Sequence, residues 1–187
     1  MTSEPTRREQ ILATAADLFA ARGFHGVSVA DLGAACGISG PAIYKHFPSK
    51  QSMLAEMLVS ISERLLHVGR ERVAAAESSG EALDRLVDWH VEFALEHRPL
   101  IVVQDRDWES LPDSARDQVR RLQRSYVDLW ADQIRDLRTD LDEPAAHAAA
   151  HAVFGLINST PRAGHQISGE PLRALLTSMA RAALAGR

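Results

Sequence analysis

The chain has 187 residues, 45% apolar and 25% charged, which excludes a disordered chain and allows one or two domains with a proper core. Its 21 basic and 25 acidic side chains leave a net charge of −4, so no global positive excess advertises nucleic acid. The single cysteine, Cys36, excludes an internal disulfide framework. The lack of a signal-like N-terminus or a long apolar run predicts a cytoplasmic protein without a membrane partner.

Helical spacing dominates, and no segment shows the two-residue alternation of a strand. The first helix is expected from Thr6 to Arg22, with Ile11, Leu12, Ala15, Leu18 and Phe19 on one face and Gly23 as its stop. Ser28 caps a short second helix ending near Cys36-Gly37, with Ala30, Leu32 and Ala35 turned inward. Ser39 caps a third, Gly40 to His46, and Ser49 a long fourth reaching Ala76. Further helices are expected over Glu81–Glu96, Pro99–Glu109, Pro112–Leu137 and Glu143–Asn158. After a loop over Thr160–Gly169, a last helix runs from the Ser168 cap to Ala183. The fold class is thus all-α with about nine helices, divided into residues 1–48 and 49–187.

Helix, tight turn with Gly37, short second helix is the spacing of a helix-turn-helix. Ile43 and Phe47, four apart, face the core and leave Gly40, Ala42, Tyr44, Lys45 and His46 a route to solvent. The chain's two lysines, Lys45 and Lys50, both fall in SGPAIYKHFPSK. A cation at the start of helix four opposes the helix dipole, but helix N-termini bind phosphate and a lysine there adds a second positive group. Ser28 and Tyr44 offer hydroxyls to other phosphates. The alternative is two solvated lysines and a tyrosine used for packing. Residues 1–50 hold five basic against four acidic side chains, leaving 16 against 21 for the rest, which permits an anion-binding N-terminal end.

The stretch ILATAADLFAARGFHGVSVADLGAACGISGPAIYKHFPSKQSML resembles the DNA-binding region of the TetR family of bacterial transcriptional regulators. The resemblance rests on Phe19 with Gly23-Phe24, on Ser28 to Gly37, and on Ile43-Tyr44, Phe47, Lys50 and Leu54, and covers about a quarter of the chain. It implies that Tyr44 and Lys50 touch phosphates and that helix three reads bases, giving a DNA-binding set of Ser28, Ser39, Gly40, Pro41, Ala42, Tyr44, Lys45, His46 and Lys50. Gly40-Pro41 departs from the polar residues often found there, which weakens base readout through that pair.

The same resemblance implies a C-terminal domain that binds a small ligand and makes a homodimer. Two helical stripes offer the interface: Ala145, Ala148, Ala149, Ala152, Val153 and Leu156, and Leu172, Leu175, Leu176, Met179, Ala180 and Ala183. The alternative is that both stripes are ordinary monomer core. The expected ligand-lining set is Trp89, His90, Phe93, Val103, Trp108, Tyr126, Trp130 and Phe154, although aromatics at helical spacing also make plain core. The run Gln104 to Glu109 is polar for a helix beginning PLIVV, so it either lines a cavity or faces water. The C-terminal pattern loosely resembles regulators of fatty-acid or sterol breakdown that bind acyl-CoA thioesters, which suggests an acyl-CoA or lipid-like effector.

His147 and His151 sit four apart on one helical face, as two metal ligands require, and a third would have to come from His165. Ala148 stands where the metalloprotease pattern needs glutamate. With no phosphate loop, nucleophile elbow or paired cysteines, the expectation is no enzyme, no metal and no cofactor. The leading reading is a ligand-responsive regulator, a repressor, binding a palindromic double-stranded DNA operator as a homodimer and released by a small effector. Its rival is a dimeric helical ligand carrier whose helix-turn-helix is vestigial.

Overall fold

The computed structural model describes residues 5–163 and 167–185, and no strand occurs among them. Its helices are α1 (Arg7–Arg22), α2 (Val29–Ala35), α3 (Gly40–Ile43), α4 (Lys50–Ala74), α5 (Ser79–Glu96), α6 (Arg98–Asp107), α7 (Asp113–Leu137), α8 (Glu143–Ile157), α9 (Thr160–Ala163) and α10 (Glu170–Ala185). A 3-10 turn, Trp108–Ser110, follows α6. All nine expected helices are present. The addition is α9, a single turn in the segment read as loop; His165 lies outside the described residues.

Local chemistry sets the boundaries. Thr6 and Glu9 form a reciprocal capping box on α1, with the Thr6 N–H donating to Glu9 Oε2 at 2.7 Å. At its other end Gly23 adopts φ 81°, a backbone conformation open to glycine, and its N–H reaches Phe19 O at 2.8 Å. Ser28 and Asp31 box α2 in the same way. The third helix is shorter than expected, because after Ile43 the chain tightens into i→i+3 bonds, Lys45 N to Ala42 O and His46 N to Ile43 O. Glycine and proline in its only turn give it little intrinsic helicity.

The chain divides into two compact units: one runs to Ile61 and includes Pro99–Val119, and the other takes Ser62–Arg98 and the chain from Arg120 onward. The expected division at residues 48/49 falls inside the first unit, and α4 and α7 each contribute to both. The first unit's core joins Ile11, Phe19, Phe24, Leu32, Ile43 and Phe47 to Met53, Leu54 and Leu58 of α4 and to Val103 and Val119. In the second, α10 packs on α5 and α8, with Leu172, Leu176, Ala180 and Leu184 turned inward. Of the residues expected inside α2, Leu32 is buried but Ala30 and Ala35 are exposed; Gly33 takes their place. A Cβ on Gly33 would lie 2.7 Å from Gly40 N and 2.8 Å from Ile38 O, so α2 and α3 cross at this glycine and require it.

Candidate nucleic-acid interface and effector site

In the first unit, α3 and the turn that follows it bury Ile43 and Phe47, as the spacing predicts, and leave Pro41, Tyr44 and Lys45 to solvent. Tyr44 is 55% exposed. Lys45 has no hydrogen-bond or ion-pair partner among the described residues, whereas Ala42 and His46 are half-buried. Ser39 holds its place as a cap, its Oγ accepting from Ala42 N at 3.3 Å.

Two arginines that the sequence reading passed over pin this surface from behind. Arg7 donates to the carbonyl of Cys36, and Arg8 donates to that of His46 while pairing with Glu56 and lying 4.2 Å from the Phe47 ring centroid. Both cations begin α1, where the dipole disfavours them, but they satisfy carbonyls at the C-terminal ends of the two short helices.

Lys50 and Ser28 are also engaged. Lys50 Nζ donates to Phe24 O at 2.6 Å and Val27 O at 2.7 Å, and lies 4.3 Å from the Phe24 ring centroid. Two of its three N–H donors are thereby used on the α1–α2 connection. Desolvation lowers its pKa, and the Asp107 carboxylate opposes that shift. The Ser28 hydroxyl donates to Asp31 Oδ2 at 2.5 Å, so its proton faces a carboxylate.

The polar run around the end of α6 is engaged in part, although Asp105 and Glu109 are exposed. Asp107 is buried at 6% exposure and accepts the Phe24 N–H at 3.2 Å, while Arg106 donates to the carbonyls of Phe19 and Ala20. The connection between α1 and α2 is therefore gripped by Asp107 from α6 and Lys50 from α4. No periodicity in the sequence pairs residues so distant.

In the second unit, six of the eight expected lining residues meet. The His90 ring stacks on Phe154 at 4.7 Å between centroids and lies 5.6 Å from Tyr126, 6.0 Å from Trp130 and 6.3 Å from Phe93. Trp89 joins through Phe93 at 5.9 Å, its indole N–H donating to Leu65 O at 3.1 Å. Val103 and Trp108 do not belong here. They lie in the first unit, Val103 wholly buried in its core, because α6 is recruited to hold the α1–α2 connection. Two further residues were not foreseen. Asn158 Oδ1 lies 3.2 Å from His90 Nε2, and Gly69 admits the Tyr126 ring, since a Cβ there would stand 2.7 Å from Tyr126 Cε2.

Burial pushes His90 down to about 4, with the Asn158 contact opposing, so the ring is neutral at pH 7. Burial raises the Tyr126 phenol, against a smaller opposing influence of the Trp130 N–H, which stops short of hydrogen-bond geometry.

The interface stripes split on the same physical ground. Leu172, Leu176, Ala180 and Val153 are enclosed in the unit's own core. Leu175 and Met179, each 47% exposed, and Ala148, Ala152 and Ala183 remain at the surface; Ala145, Ala149 and Leu156 are half-buried. His147 donates through Nδ1 to Glu143 O at 2.8 Å and through Nε2 to Asp128 Oδ1 at 2.9 Å, while His151 is exposed. No group of three potential metal ligands gathers among the described residues, and none of their helices is long and apolar enough to cross a membrane.

Residues 11–57 match the family described as "Bacterial regulatory proteins, tetR family", and residues 76–162 match "Tetracyclin repressor-like, C-terminal domain". The HTH-type transcriptional repressor KstR2 of Rhodococcus jostii is 32% identical over 125 residues, 66% of this chain and 61% of that protein. The chain thus matches less than two thirds of that relative's length. KstR2 of Mycolicibacterium smegmatis is 31% identical over 149 residues, 75% of this chain and 72% of that one. A solved TetR-family transcriptional regulator from Bordetella parapertussis 12822 is 26% identical with a TM-score of 0.82, over 92% of this chain and 93% of that one. The helix-turn-helix crossing at Gly33, the all-helical second unit and these matches agree: the chain belongs to the TetR family of bacterial transcriptional regulators.

Proposed function

We propose that this chain is a ligand-responsive repressor that binds a palindromic DNA operator as a homodimer and lets go when the second unit takes up a small, largely apolar effector. The observation carrying this reading is the solvent-facing surface of α3 and the turn after it, where Tyr44 and Lys45 stand exposed above the buried Ile43 and Phe47. A helix-turn-helix kept only as a relic has no reason to pin that surface with Arg7 and Arg8 and the α1–α2 connection with Lys50 and Asp107. Repression is taken from the two KstR2 relatives named above.

In this reading Tyr44 and Lys45 contact phosphates or base edges, and Ser39, Gly40, Pro41, Ala42 and His46 shape the surface around them. Lys50, with one N–H left, acts mainly by fixing the α1–α2 connection, and Ser28 by capping α2. Leu175, Met179 and the small residues of α8 and α10 meet their counterparts in the partner subunit. The effector, an acyl-CoA or lipid-like metabolite, contacts the rings around His90, and it must prefer the conformation that fits DNA poorly. Such coupling is typically about 1–3 kcal/mol.

Selection of bound duplexes from a random DNA pool by the purified protein tests the reading. An enriched palindrome is expected. Folded protein that enriches nothing at low salt would instead be a helical ligand carrier.

A further inference from the structure

Three polar atoms are stranded inside the ring cluster of the second unit. His90 Nδ1, Tyr126 Oη and Trp130 Nε1 are all buried without a closed hydrogen bond, the Trp130 N–H approaching the Tyr126 oxygen but stopping short of it, on residues that are 2%, 3% and 0% exposed. Native interiors leave few such atoms, because each gives up its hydrogen bonds to water and gains none in return. That three should fall on rings within 5.6–6.2 Å of one another, in one unit, calls for a shared cause.

The donor and acceptor pattern restricts what satisfies them. Asn158 Oδ1 faces His90 Nε2, so Nε2 carries the proton and Nδ1 presents a lone pair. Trp130 offers a donor, and Tyr126 a hydroxyl that donates or accepts. The rings touching His90 belong to Phe93, Tyr126, Trp130 and Phe154, none of them charged. A carboxylate set here would meet a lone pair and lack a counter-ion, which is costly in a dry site. A ketone or thioester carbonyl would satisfy the donors and leave Nδ1 stranded. A hydroxyl donates to Nδ1 with its proton and accepts from the Tyr126 and Trp130 donors with its lone pairs.

Resting on the reading of this unit as the effector-binding one, we propose that the buried part of the effector is a neutral apolar group bearing a hydroxyl, read by His90, Tyr126 and Trp130. Gly69 is the positioning residue. A methyl group there would collide with the Tyr126 ring, so the glycine lets α4 back the phenol closely.

The test is calorimetric titration of the full-length protein at pH 7 with three probes of one size: 2-naphthol, 2-methoxynaphthalene and 2-naphthoate. The expected result is that 2-naphthol binds at least about tenfold more tightly than either of the others, equivalent to about 1.4 kcal/mol. His90→Phe should bring 2-naphthol and 2-methoxynaphthalene to similar affinity. Should His90→Phe fail to fold, Tyr126→Phe, which deletes one hydroxyl, should narrow the same gap. Equal affinities for 2-naphthol and 2-methoxynaphthalene overturn the proposal but leave an apolar effector site standing. Tightest binding of 2-naphthoate overturns it in favour of an anion site. If no probe binds, the stranded atoms are not an effector contact, and the proposal and the effector reading of this cluster fall together.

Discussion

Lys50 donates from Nζ to the main-chain carbonyl of Phe24 at 2.6 Å and covers the ring of the same residue at 4.3 Å from its centroid. A lysine that looks from the sequence like a free cation at a helix start is thus a staple on the connection between α1 and α2. The Phe24 N–H is held in turn by the buried carboxylate of Asp107, 83 residues away in the chain. The lysine without a partner among the described residues is Lys45, in the turn after α3.

The two lysines should therefore separate on substitution. Lys50→Ala is expected to lower the stability of the folded protein by about 1.5–3 kcal/mol, the range for hydrogen bonds to a charged group. It should leave the logarithmic salt slope of operator binding close to the parent's. Lys45→Ala should leave the melting temperature unchanged and reduce the magnitude of that slope by roughly one per lost phosphate contact. Chemical denaturation together with binding at several salt concentrations reads both effects, and an unchanged stability for Lys50→Ala would refute the staple.

Gly33→Ala should disable DNA binding without unfolding the second unit. The added methyl group stands 2.7 Å from Gly40 N, and backbone atoms cannot swing aside as a flexible side chain does. Overpacking of this kind costs typically 1–3 kcal/mol. Operator affinity should fall at least about tenfold, as α3 shifts against α2. A crystal structure of the variant with an unmoved α3 would contradict this.

Two histidines of the second unit should titrate in opposite directions. Burial holds His90 at about 4, and the Glu143 carbonyl followed by Asp128 raises His147 above the ordinary histidine value. The lowered His90 binds a proton more readily in the unfolded chain, so its contribution to stability is present above the unfolded value of about 6.5. That contribution is lost progressively as pH falls toward 4, at up to about 1.4 kcal/mol per pH unit. The raised His147 stabilises the fold below the unfolded value and loses that effect as pH rises through its folded one. Proton-detected NMR titration separates the pair, and Asp128→Asn should bring His147 down while leaving His90 in place.

Neighbouring residues of α10 should also behave differently. Leu175 is 47% exposed and Leu176 only 4%. Leu175→Glu is expected to shift the protein from dimer to monomer with its helical content kept, whereas Leu176→Glu should unfold the second unit by burying an unpaired charge. Light scattering and circular dichroism distinguish the outcomes. A dimer that survives Leu175→Glu and Met179→Glu together would place the interface elsewhere.

What the sequence determined by itself is local. Capping pairs such as Ser28 with Asp31, the stop at Gly23, and the four-residue spacing of Ile43 and Phe47 fix helices, turn and buried face through bonds and periodicities spanning a few residues. The ring cluster was legible in part for the same reason, since Trp89, His90 and Phe93 share one helix, as do Tyr126 and Trp130. Tertiary structure decided the rest. A one-face stripe on α10 does not say which leucines meet their own chain and which a partner, and only the packing of α10 on α5 and α8 divides Leu176 from Leu175. Likewise, whether Lys50 meets phosphate or carbonyl depends on where the α1–α2 connection and Asp107 lie. That is set by burial of apolar surface between distant segments, which acts without direction and leaves no local mark in the sequence.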